Sequence, residues 1–192
     1  MNPYIRCPLP PDFEPNKLPA PGDYISVLDL MRKLTHRMQV ICAVTAAEIA
    51  LPVWQLAFGE HPPNCPVSPE AFQLTPGKTI DIIHRWLLGE ADRTAVRYAI
   101  TANANIANWA SGSTHRAHRL AAEVASAVTH AGYTIINSKT HANAAYAIDS
   151  AVAAGVSYVD WWNKCKPLLQ EEYNHWSRKL NGAWSREFNG EE

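Results

Sequence analysis

The chain has 192 residues, with 17 Lys+Arg against 18 Asp+Glu, a formal net charge of -1 and 47% hydrophobic residues. That length fits one domain able to bury roughly 70% of the surface its unfolded form exposes, with no metal or disulfide needed to hold it. Near neutrality argues against a nucleic-acid binder, which needs a surplus of basic side chains on some face, and no apolar run reaches the roughly 18 residues of a membrane helix.

The chain begins Met1-Asn2-Pro3-Tyr4-Ile5-Arg6-Cys7-Pro8. This lacks the basic stretch and apolar core of a secretory signal, so a cytoplasmic protein is expected. Seven of the 14 prolines fall in the first 21 residues. Their density excludes helix there and predicts an extended arm over 1–22, a PxxP-type ligand being the sharper alternative. From Ser26 to about Ala50, Val27, Leu30, Met31, Leu34, Met38 and Ile41 recur at three- and four-residue steps, one apolar helix face. Pro52 should break or kink this helix, with a short continuation to Gly59.

A second Pro-rich stretch ends in Thr75-Pro76, an acceptable N-cap with proline at the first helical position. Beyond it, Gly89, Gly112, Gly132 and Gly155 each follow an apolar run of helical length, and glycine is favoured just past a helix end. The pattern predicts helices near 77–88, 91–110, 114–130, 139–154 and 156–180. Alanine supplies 20 of the 64 residues from Ala91 to Ala154, which lets helix axes approach closely. The β-favouring run Tyr133-Thr134-Ile135-Ile136 is too short to build a sheet alone. The expectation is a single all-α domain over 23–181, an antiparallel bundle or stack of six to seven helices, with a polar tail over 182–192.

Chemistry-bearing residues are sparse. His115 and His118 share a helix face beside Arg116 and Arg119. They are weak metal candidates, because a third ligand such as Glu123, His141 or Asp149 is needed and arginines oppose a dication. His130 and His141 bracket a loop and read mainly as organisers of it. The alternative is acid or base work by an enzyme or metal-binding protein using His115, His118, His130 or His141. No HExxH, Walker, GxGxxG or GxSxG motif occurs. Cys7, Cys42, Cys65 and Cys165 have no paired spacing and read as free thiols. The last helix is rich in aromatic and charged residues. Because Trp161 and Trp162 project about 100° apart, they should not share a narrow buried stripe. An exposed Trp there would favour a protein-binding surface or a helical adaptor.

Four segments, taken in order, carry a resemblance. They are Ala50-Leu51-Pro52-Val53-Trp54, Ile83-His84-Arg85-Trp86-Leu87-Leu88-Gly89-Glu90, the Ala-rich run from Ala121 to His130, and His141-Ala142-Asn143-Ala144-Ala145-Tyr146-Ala147. Together, over about residues 42–170, they resemble the helical immunity protein family of bacterial polymorphic toxin systems. The arm before residue 23 has no counterpart in it. The resemblance implies a protein that binds and neutralises a cognate toxin by steric occlusion through acidic or aromatic surface groups, with no cofactor. The positions it carries over are His84, Arg85, Trp86, His141 and Tyr146, beside Trp161 and Trp162 from the last helix.

Overall fold

The first long apolar stretch folds as two helices. In the computed structural model, which describes residues 14, 15, 18, 20–57, 68–137 and 139–189, α1 spans Tyr24–Lys33 and α2 spans His36–Ala57. Asp23 caps α1, accepting from the Ser26 N–H at 2.7 Å. Leu34 is extended, and Thr35 Oγ1 accepts from the Met38 N–H at 3.3 Å to start the next helix. Buried Gln39 then reaches back, its Nε2 donating to the carbonyls of Met31 at 2.8 Å and Leu34 at 3.0 Å. This adds a second donor to the Met31 carbonyl, which also accepts from the Leu34 N–H at 3.2 Å, and gives one to the Leu34 carbonyl at the end of α1. The apolar face runs through the break because both helices bury the same side.

Five more helices follow: α3 (Pro69–Leu87), α4 (Arg93–Ser111), α5 (Arg116–Ile136), α6 (Thr140–Ala153) and α7 (Tyr158–Asn189). The protein is all-α, with seven helices and no strand among the described residues, and Tyr133–Ile136 belongs to α5. α2 and α5 are the central pair. α2 packs against α3, α5, α6 and α7, and α5 against α2, α3, α4 and α6. Alanines line the contacts: Ala43, Ala46, Ala47 and Ala50 on α2, Ala121, Ala125 and Ala131 on α5, and Ala144, Ala147 and Ala151 on α6 are all fully buried. α2 is long and apolar enough to cross a membrane, and here that apolar surface forms the core of the bundle.

Three glycine positions end helices as the spacing predicts, with Gly112 capping α4 in a right-handed conformation. Gly89 (φ 80°) and Gly155 (φ 113°) adopt the left-handed conformation. The next N–H closes each helix end, Glu90 to Arg85 O at 2.8 Å and Val156 to Ala151 O at 3.0 Å. Gly132 does not end a helix. It lies buried inside α5, at a crossing so close that a Cβ there would sit 2.1 Å from Ile100 Cγ2. One proline departs from expectation, Pro76 lying inside α3 instead of at its start, while Pro52 sits near the end of α2 with its ring exposed and Pro167 lies inside α7, within the helix expected over 156–180.

At the N-terminal side, Pro15 and Pro21 are buried and Leu18 packs against the core. The rest of the expected arm, with Cys7, lies outside the described residues, as does Cys65. At the other end α7 continues to Asn189, through most of the stretch expected as a tail.

Candidate binding face

On α6, Asn143, Tyr146 and Asp149 recur at three-residue steps and share one side of the helix. Because Asp23 caps α1, Tyr24 is fixed at the first helical position, where its ring stacks on Tyr146 with centroids 5.6 Å apart and planes at 27°. From α5, His130 brings its ring to 5.5 Å from Tyr146 and 6.0 Å from Tyr133. Tyr158, at the start of α7, donates its hydroxyl to Asp149 Oδ1 at 3.4 Å. Ser150 donates to Ser126 at 3.2 Å, tying α6 to α5 beside Glu123. Tyr146 keeps 47% of its surface exposed and Asp149 is exposed, while Tyr24, Glu123 and Tyr158 are half-buried.

This face is electronegative. Burial, the neighbouring Tyr146 hydroxyl and the nearby Asp149 push the Tyr24 hydroxyl up to about 12, with Arg32, itself paired to Asp29 at 2.9 Å, acting weakly the other way. Tyr158 is raised by burial and then by Asp149 and Asp23. Burial and repulsion from Asp149 hold the Glu123 carboxyl above the ordinary range. Burial lowers His130, opposed in part by the neighbouring Asn143 amide, so near neutral pH its imidazole favours the neutral form. Its Nδ1 is buried without a hydrogen-bond partner.

Of the residues singled out from sequence, Tyr146 stands in this cluster, together with His130 from the alternative reading and Glu123 and Asp149, named there only as possible third metal ligands. His84, Arg85 and Trp86 lie at the end of α3. His84 Nε2 meets Glu48 Oε1 on α2 at 2.6 Å, Arg85 is exposed, and Trp86 sets its ring 5.6 Å from His36 on α2. His141 is half-buried in the first turn of α6. Trp161 and Trp162 overturn expectation, being 0% and 3% exposed. At about 100° per residue they lie at the two edges of one wide buried stripe, with Cys165, Leu169 and Glu172 between them. Leu168 falls just outside it and is 41% exposed. These tryptophans are core residues and form no docking surface.

His115 and His118 do come together, with ring centroids 5.2 Å apart, and Ser113 Oγ lies 2.9 Å from His118 Nδ1. Among the described residues no group of three His, Cys, Asp or Glu side chains converges as a metal site. Two surface depressions, one along α7 lined by Lys166, Gln170 and Arg178 and one at the α3–α4 turn lined by Arg85, Gly89 and Asp92, are open to solvent. Neither includes the tyrosines. Tyr24, Asp149 and Tyr158 escape a sequence reading as a set because the contacts that join them span three helices.

The His84–Glu48 contact gives the protein a pH signature. The hydrogen bond and charge of Glu48 raise His84 above its ordinary value, with burial opposing. Its stabilisation is therefore full below pH ~6.5 and fades as pH rises through the raised value. His84→Gln is expected to cost about 0.5–1 kcal/mol at pH 5.5, the scale of an exposed pair, and almost nothing at pH 9. Denaturant midpoints of both proteins at the two pH values check this, and a cost independent of pH would refute it. Burial lowers His36 and His130, so they act with the opposite sign, removing stability as pH falls. The difference between variants isolates His84.

Comparison of the chain with protein-family models, with curated proteins and with solved structures finds no match in any of the three.

Proposed function

We propose that the chain is an immunity-type binding protein, which neutralises a toxin by covering a basic surface of it with the Tyr24–Tyr146–Tyr158 face. The observation that carries this reading is the Tyr24–Tyr146 stack with Tyr158 bonded to exposed Asp149, near half-buried Glu123. Glu123 is partly withdrawn from water and faces the repulsion of Asp149. Such a pair disfavours the isolated fold, and a lysine or arginine from a partner would relieve it. Tyrosine suits the rim of such a contact because it offers large area at low entropic cost. Electronegativity would speed encounter with a basic partner and make that encounter salt-sensitive. The order of sequence segments that resembles the immunity family points to the same class of protein.

The test is a rescue assay. The product of the adjacent gene is expressed in a bacterial host, alone and with this chain. Growth arrest relieved by the wild-type chain and at least tenfold less relieved by a Tyr146→Ala, Asp149→Asn double variant of equal abundance is expected. A neighbour that arrests nothing, or rescue unaffected by the double variant, would contradict the reading.

A further inference from the structure

Cys42 lies near the middle of α2 and Cys165 two turns into α7, both fully buried, with their sulfurs 3.1 Å apart. A disulfide has its sulfurs about 2.05 Å apart, so bonding these two asks for ~1 Å of approach. The register that brings them together is fixed one turn earlier, where the Trp161 indole N–H donates to the Cys42 carbonyl at 3.0 Å. α7 packs chiefly on α2, so this pair sits on its main attachment.

We propose that Cys42 and Cys165 are a reversible modification site, an intramolecular disulfide that staples α7 to α2. The oxidant would be a low-molecular-weight disulfide. One cysteine thiolate attacks it, forming a mixed disulfide and expelling one thiolate. The second cysteine then attacks the protein sulfur of that mixed disulfide and expels the other. The two protein thiols give up two electrons and two protons, and the small disulfide becomes two thiols.

Access sets the rate. The sulfurs are out of reach of solvent, and burial raises the Cys42 thiol well above its ordinary value, so attack waits for α7 to lift. A second tether controls that lifting. Glu172, nearly buried on α7, accepts from Arg37 Nε of α2 at 2.7 Å and from Trp176 Nε1 at 2.8 Å.

The test uses the full chain carrying Cys7→Ser and Cys65→Ser, incubated with graded mixtures of oxidised and reduced glutathione. Expected are a mass lower by two hydrogens, a proteolytic fragment pair joined through Cys42 and Cys165, and a Tm about 10 °C higher than that of the reduced form. Cys165→Ala should abolish all three, and Glu172→Gln should speed bond formation about tenfold without changing its site. Glutathione adducts with no Cys42–Cys165 link, or a link that leaves Tm unchanged, would overturn the staple. A rate indifferent to Glu172→Gln would overturn the gating by α7.

Discussion

Trp161→Ala is expected to lower the unfolding free energy by about 3–5 kcal/mol, the range for removing a large aromatic side chain from a packed core. Trp161 is 0% exposed and is the largest of the fully buried side chains. Its loss leaves a cavity between α2 and α7 and takes away the donor to the Cys42 carbonyl. The Cys42 carbonyl lies within α2, so the helix ladder offers it another partner and most of the cost falls on packing. Trp161→Phe separates the two contributions, with about 1–2 kcal/mol expected because the ring is smaller and the donor is gone. Thermal unfolding followed by far-UV circular dichroism should show Tm falling by ~10 °C for the alanine variant. A fall under ~3 °C would mean that α7 is not seated on α2 as described.

Gly132→Ala is expected to destabilise the protein by about 2 kcal/mol, although alanine is the better helix former by ~1 kcal/mol. The added methyl would lie 2.1 Å from Ile100 Cγ2 and 3.5 Å from Val96 Cγ1 on α4. Ile100 is β-branched and 1% exposed, so its Cγ2 cannot swing away and the two helices must separate. Separation also strains a buried polar bridge. Asn103 Nδ2 on α4 donates to Ala125 O at 2.5 Å and to Thr129 Oγ1 at 2.8 Å on α5. Ile100→Ala should itself cost about 2–4 kcal/mol, yet the double variant should be more stable than the sum by at least 1 kcal/mol, since the new methyl fills part of the vacated space. An unchanged or raised Tm for Gly132→Ala, or strict additivity, would contradict the close crossing.

How much of this was legible in the sequence differs by element. Apolar spacing and alanine content identify an all-helical chain, and Gly89 and Gly155 mark true helix ends because only a left-handed residue closes those turns. Gly132 has the same spacing for a different reason, since it permits helix approach, and a glycine carries no mark of which use it serves. The α1–α2 break is hidden because the buried face continues through it. Its one local signal is Thr35 as an N-cap, with Gln39 completing the end of α1 from the far side of the break. Proline misleads at Pro76 because within a helix it removes a single N–H bond, a loss the surrounding packing outweighs. The Trp161–Trp162 pair was misjudged because a narrow stripe was assumed, whereas the contact of α7 covers about 100° of its circumference. Of the candidate face, Tyr146 could be picked out by motif, while His130, Glu123 and Asp149 stand out only as acid-base or metal candidates, and His130 lies inside α5, not at its end. Tyr24 and Tyr158 join them only through tertiary contacts.

The tyrosine cluster around Asp149 and Glu123 is the part of the molecule on which the binding reading stands. Hydrogen exchange of the wild-type chain, with and without the product of the adjacent gene, tests it most directly. Protection is expected at the start of α1, over residues 142–149 of α6 and at the start of α7, and it should weaken in Glu123→Gln and with added salt. Protection confined to the end of α3 around His84, or to the His115–His118 turn, would contradict the assignment of this face.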